Sequence, residues 1–169
     1  CSDMDEPYSR ENLTRKHEAA LGMAQRAHKK KRIKSIHARI KNTRKDWAHK
    51  TTTTIVNRAS LIVVGNVSST KLTKTRMAKS VHDAGWGQLR TCLEYKAHRL
   101  GVTYCEVNES GSSVTCSACL ARTGPSGLSA LGIRVWTCVH CGAQHDRDRN
   151  AAHNILRYGR VALSGIPRL

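Results

Sequence analysis

Four cysteines carry the clearest chemistry in the chain. Cys116 and Cys119 are two residues apart, Cys138 and Cys141 likewise, and eighteen residues divide the pairs. A two-residue spacer lets a tight knuckle aim both sulfurs at one ion, and two knuckles complete a tetrahedron of thiolates around zinc. Four such ligands leave no open position on the metal, so a zinc held there is structural rather than catalytic. Gly142 suits the knuckle turn, and Ile133, Val135 and Trp136 suit a hairpin strand leading into it. His140 and His145 stand close by, but the cysteines suffice without them; a pair of redox-active CxxC motifs is the alternative reading. Cys1, Cys92 and Cys105 have no such spacing, and Cys92 and Cys105 lie on apolar segments that read as core. The second chemical signal is a carboxylate. In HDRDRNAAHNIL, residues 145–156, Asp148 opens a helix, where the helix dipole alone would favour a negative charge.

The elements that position these groups follow from periodicity. Residues 11–58 read as helix: Ile33, Ile36, Ile40 and Trp47 recur every three to four positions with charges between them. That is one long helix, or two in tandem with a break near 28–32. LIVVGNV, residues 61–67, is a short β-branched run and reads as a buried strand. Ser68–Thr75 reads as loop. Residues 76–100 are helical again, with Met77, Val81, Ala84, Leu89, Leu93 and Ala97 on one face and Gly101 as its stop. A strand at 102–107 follows. Strand, helix, strand with short joints is a βαβ unit, which predicts two parallel strands buried on both faces. Asn108–Gly111 reads as loop, 114–143 as a cysteine-rich insert, 148–158 as a final helix, and 159–169 as a loosely ordered tail.

Charge narrows the partners. Against 29 Lys and Arg stand 12 Asp and Glu, a net charge of +17 and a pI near 10.1. Such a balance points to a polyanion, nucleic acid before an anionic membrane surface. Fifteen of the basic residues precede position 60, and the densest run is Lys29, Lys30, Lys31, Arg32 and Lys34. These are candidate phosphate contacts, although a solvated helix face is the plainer reading of any charge run. No apolar stretch approaches the ~18 residues of a membrane span. The first ten residues lack the basic start and apolar run of a signal peptide. An odd count of seven cysteines argues against a secreted disulfide framework. A cytoplasmic, nucleoid-associated protein is the expectation, and a first residue of Cys rather than Met suggests that residue 1 is not a natural start.

The block TCSACLARTGP…WTCVHCGAQHDRDRNAAHNIL, the stretch RKDWAHK at 44–50 and the strand LIVVGNV resemble the TnpB (OrfB) family over nearly the whole chain after residue 11. These are insertion-sequence-encoded relatives of the type V CRISPR effector nucleases. The resemblance implies an α/β chain with a partial RNase H-like (RuvC) fold that lacks its first strands, with an inserted four-cysteine zinc ribbon and a basic helical N-terminal part. In that division residues 1–113 are RuvC-like core, 114–143 the ribbon, and 144–169 the last RuvC helix and tail. The resemblance also implies RNA-guided cleavage of DNA, with Mg²⁺ held by three carboxylates, and guide RNA and target DNA as partners. The family's last Asp matches Asp148.

The chain departs from the pattern twice. The first strand with its Asp is absent, which predicts a fragment, a truncated copy, or a subunit completed by a further chain or segment. The family's Glu at the end of the strand LIVVGNV is replaced by Gly65 and Asn66. Either the nuclease is dead and the chain is a guided binder or accessory subunit, or another acid has moved in. Glu109 ends the neighbouring strand, at the side of an open α/β sheet where ligands bind, and is the candidate to share Mg²⁺ with Asp148. Glu106 is a weaker candidate, and a solvated loop acid is the plain alternative for Glu109. Arg147 and Arg149 flank Asp148 as candidate contacts to the scissile strand. Trp86 could stack on a base, with a core position on its helix as the other reading. A zinc-ribbon protein that contacts other proteins is a third reading of the whole.

Overall fold

The computed structural model describes residues 13–66, 85–127, 130 and 132–165. The expected loop at 68–75 and the first turns of the helix expected at 76–100 lie outside the described residues. Two compact units divide the chain: one gathers the helices within 13–60 and 85–103, the other gathers 61–66 and 104–165. No helix among the described residues is long and apolar enough to cross a membrane.

In the helical unit, α1 (Leu13–Arg26) and α2 (Lys30–Arg58) are separate helices. His28 takes a left-handed φ of 49° between them, and the Lys29 N–H reaches back to Ala24 O at 2.9 Å. This closes α1 and turns the chain so that Ala24 packs against Ile36 and Ile40, with Ala20, Leu21 and Ile33 around them. The isoleucine spacing in the sequence is this contact. The second half of α2 buries Ala48, Thr51, Thr52 and Val56. It packs on α3 (Trp86–Arg99), whose Cys92, Leu93 and Ala97 are buried. Lys96 of α3 fastens the pair: its ammonium donates to His49 O, Thr52 Oγ1 and Thr53 Oγ1 at 2.6, 2.8 and 2.7 Å.

The second unit is built on β1 (Leu61–Gly65) and β2 (Thr103–Val107), which are sheet neighbours. Thr103 N–H bonds Ser60 O, and Asn66 N–H bonds Val107 O. Both strands therefore climb in the same direction, the parallel pairing expected. The expected burial on both faces is not found: only Ile62 of β1 and Val107 of β2 are buried. The two strands that this sheet has among the described residues are too narrow to be covered from both sides.

The last helix, α4, runs Arg147–Ser164 and ends at Gly165 in the left-handed conformation, φ 69°. The helix expected from the sequence ends at 158, before Gly159, with a loose tail beyond it. Gly159 does not end the helix, because its missing side chain lets α4 lie directly on β1. A Cβ there would collide with both methyls of Val63 and stand 3.0 Å from its Cβ. Overpacking of this kind costs about 1–3 kcal/mol. Gly159→Ala is accordingly expected to lower stability in thermal unfolding by about that much. Adding Val63→Ala should return part of it, and equal stability of Gly159→Ala and wild type would contradict the packing described.

Candidate metal centre and carboxylate site

Residues 114–146 bring the two knuckles together. Cys116 N–H bonds Ala121 O, and Thr115 bridges Arg122, closing the first; Cys138 N–H bonds Ala143 O at 2.8 Å, closing the second. The second knuckle joins β3 (Val135–Thr137) to β4 (Gln144–Asp146) as an antiparallel hairpin, with Trp136 opposite His145. Trp136 packs on Cys116 and Cys138, so the metal pocket and the small apolar core are one structure.

The four sulfurs lie within 4.8 Å of one another. Cys116 and Cys141 are 3.7 Å apart, Cys119 and Cys138 3.6 Å. Zinc–sulfur bonds of about 2.3 Å give a tetrahedron edge of about 3.8 Å, the length that these two edges have. None of the six cysteines among the described residues is in a disulfide. The Thr123 hydroxyl, 3.1 Å from its sulfur, holds the Cys138 thiol down at about 6 against the opposing push of burial. At Cys119 the Ala121 amide pulls downward, but burial and the neighbouring sulfurs of Cys141, Cys116 and Cys138 push its thiol up to about 12. Four thiols crowded this closely resist ionising side by side, and lose their protons to solvent together when a cation binds the thiolates.

Glu109 stands in the loop after β2. The loop is tightly wound: Ser110 N–H bonds Asn108 Oδ1, Ser112 N–H bonds Glu109 O, and Gly111 takes φ 81°. This winding folds the Glu109 side chain over the end of β1. A Cβ on Gly65 would overlap the Glu109 carboxylate and stand 2.9 Å from its Cβ and 3.0 Å from its Cδ. The acid of the second strand thus occupies the space that a side chain at the end of the first would take. Glu106 is turned elsewhere, accepting from Tyr104 Oη at 2.8 Å.

Asp148 lies in the first turn of α4. Asp146 caps that helix, its carboxylate accepting from the Asp148 and Arg149 N–H groups. The Asp148 side chain is 78% exposed and meets the Arg134 guanidinium at 3.2 Å. Arg134 has no motif of its own in the sequence; only the folding of the ribbon against α4 brings it there. Arg147 N–H bonds Arg134 O, and its guanidinium donates to Ala130 O, so Arg147 is engaged in holding the ribbon loop. Two buried amides complete the joint. Asn150 and Asn154, one turn apart on α4, both donate to Ser112 O and Thr115 O, and Asn150 Oδ1 accepts from Ser117 N–H. The sequence gives these asparagines as helix residues; their grip on the loop that carries Glu109 emerges only in the fold.

Lys29, Lys30, Lys31, Arg32 and Lys34 are all exposed, at the α1–α2 turn and the first turns of α2. Between Leu13 and Arg58 stand 14 Lys and Arg against Glu18 and Asp46 alone. Cys92 is buried as expected, and Cys105 is half-buried. Trp86 is not a core residue: it begins α3 and is 53% exposed.

These features define an α/β protein with a four-cysteine group, able to hold a metal ion, set into the approach to its last helix. Residues 86–155 match the family described as Cas12f1-like, TNB domain. A Streptomyces pristinaespiralis protein named as a candidate RNA-guided DNA endonuclease is 37% identical over 145 residues, covering 85% of this chain and 35% of that protein. The TnpB-like protein L79 of Acanthamoeba polyphaga mimivirus is 28% identical over 135 residues, covering 75% of this chain and 25% of its own length. The chain adopts the fold of part of Cas12f1 in its cryo-EM complex with sgRNA and target DNA. That match has a TM-score of 0.66 at 19% identity and covers 90% of this chain and 44% of that one. The chain belongs to the TnpB (OrfB) family. It spans about a third or less of the length of these two curated relatives.

Proposed function

We propose that the chain is the C-terminal, RuvC-like nuclease portion of an RNA-guided DNA endonuclease. In this reading Glu109 and Asp148 hold Mg²⁺, and a segment or chain beyond these residues supplies the first RNase H-like strands and the third acid. The observation that carries it is the placement of the Glu109 carboxylate over Gly65, at the strand end where the family resemblance calls for an acid. Carboxylate oxygens are the donors that Mg²⁺ prefers. When bound, the metal would polarise the scissile phosphate and assist the attacking water. The chain's own part is to hold the two carboxylates on elements locked together by Asn150 and Asn154. Arg134, already on Asp148, would be available to the phosphate when the cation takes the carboxylate.

A second reading, a guided binder that does not cleave, is favoured by the Arg134–Asp148 ion pair, which neutralises the acid without a metal. The test is cleavage of single-stranded target DNA with guide RNA and Mg²⁺, in a protein extended by the segment its longer relatives carry. Loss of cleavage in Asp148→Ala supports the nuclease. No cleavage, with tight RNA binding, supports the binder.

In either reading the exposed basic face of α1 and α2 contacts guide-RNA or heteroduplex phosphates by charge and shape. Each phosphate neutralised contributes about −0.7 to −0.9 to the slope of log K against log salt. Replacing Lys29, Lys30, Lys31, Arg32 and Lys34 by alanine is therefore expected to flatten that slope by about 3.5–4.5. An unchanged slope would show that this run faces solvent. The four cysteines hold zinc as a structural ion, and the protein works in the cytoplasm at the nucleoid.

A further inference from the structure

The metal centre and the start of α4 share one residue, His145. Its Nε2 lies 3.0 Å from Cys116 Sγ. Its ring packs against Trp136, centroids 4.7 Å apart. The residue after it, Asp146, caps α4, and Asp148 is two further on. A zinc ion with four thiolates carries two excess negative charges, and such a centre is stabilised by N–H and O–H groups pointing at its sulfurs. Cys138 receives the Thr123 hydroxyl and the His140 and Cys141 amides, and Cys119 receives the Ala121 amide. At Cys116, beside the other cysteines, His145 is the side chain within reach among the described residues. A thiolate only accepts, so the contact requires the proton on Nε2.

We propose that His145 is a positioning residue: by donating Nε2–H to Cys116 Sγ it ties the tetrathiolate centre to the capped first turn of α4 that carries Asp148. Filling the ribbon with metal then holds the β4 strand and fixes the Asp146 cap, so order at the metal is passed to the acid two residues beyond. The proposal rests on the reading of the quartet as zinc ligands.

The experiment uses the 169-residue chain with Zn²⁺ and Co²⁺, comparing wild type, His145→Phe and His145→Gln. Phenylalanine keeps a ring against Trp136 and loses the N–H; glutamine keeps a donor near the Nε2 position. Chelator competition should show zinc held about 10- to 100-fold more weakly in His145→Phe, with most of the loss restored in His145→Gln. The thiolate-to-cobalt charge-transfer band should move to longer wavelength in the phenylalanine variant, because the sulfur loses a donor, and stay near wild type with glutamine. Hydrogen exchange at the Asp148 and Arg149 amides, in saturating zinc, should be faster in His145→Phe than in wild type. Equal zinc affinity and an unmoved band in His145→Phe would overturn the hydrogen bond. Equal protection of the two amides would overturn the coupling to α4. Nitrogen bound directly to the metal in X-ray absorption would make His145 a ligand and also overturn it. A wild-type chain that binds neither ion would instead remove the zinc reading itself.

Discussion

Replacing Glu109 by Gln is expected to reduce Mg²⁺-dependent DNA cleavage by about 10²–10⁴-fold, the effect of about 3–5 kcal/mol of lost metal assistance at the scissile phosphate. Guide-RNA binding should be unchanged, because the substitution leaves the basic helices untouched. The sharper form of the test is a swap. A side chain at position 65 and the Glu109 carboxylate claim one volume, so Gly65→Glu alone should be damaging. Gly65→Glu with Glu109→Gly should return cleavage well above that of Glu109→Gln, since an acid again stands at the end of β1. A swap no more active than the single variant, in a protein shown to fold by its zinc content and unfolding curve, would mean that Glu109 fills a gap and does no chemistry.

Much of this was legible in the chain because it is local. The knuckles are written in two-residue spacers, and the helical character of α2 and α3 in isoleucine and leucine spacing. The parallel pairing of β1 and β2 follows from apolar runs flanking a helix. What was not legible depends on contacts made across the fold. Gly159 reads as a stop because glycine weakens helices, yet Val63 requires it inside one. The break between α1 and α2 falls where the tandem-helix reading put it, near 28, but the left-handed φ of His28 that makes it is announced by no spacing. Trp86 has the composition of a core residue but falls on the first, exposed turn of α3. Arg134 reaches Asp148 only after the ribbon has folded, and a charged residue fourteen positions upstream carries no mark of that destination.

The second large effect is expected from the metal centre. Structural zinc contributes on the order of 10–16 kcal/mol in isolated zinc-binding peptides near neutral pH, more than most domains have in total. Cys116→Ser or Cys138→Ser, each removing a buried sulfur, should abolish stoichiometric zinc in elemental analysis. Amide protection in β3, β4 and the first turn of α4 should go with it. Helices α1, α2 and α3 belong to the other compact unit and should keep their circular-dichroism signal. Acid should act in the same direction. Zinc needs thiolates, so its affinity should fall as protons return to the sulfurs, steeply once pH drops below about 6 and even Cys138 is protonated. Full zinc retention in either serine variant would rule out a four-cysteine site.

The paired amides of Asn150 and Asn154 have a further consequence. They hold Ser112 and Thr115 by main-chain carbonyls alone, so the clamp is indifferent to which side chains the clamped loop bears. The clamp itself thus tolerates changes in the stretch it holds, while the first turn of α4 depends on that stretch through Ala130, Arg134 and His145. A ribbon grafted into this socket should therefore be gripped at its root, yet steady Asp148 only where it restores those contacts.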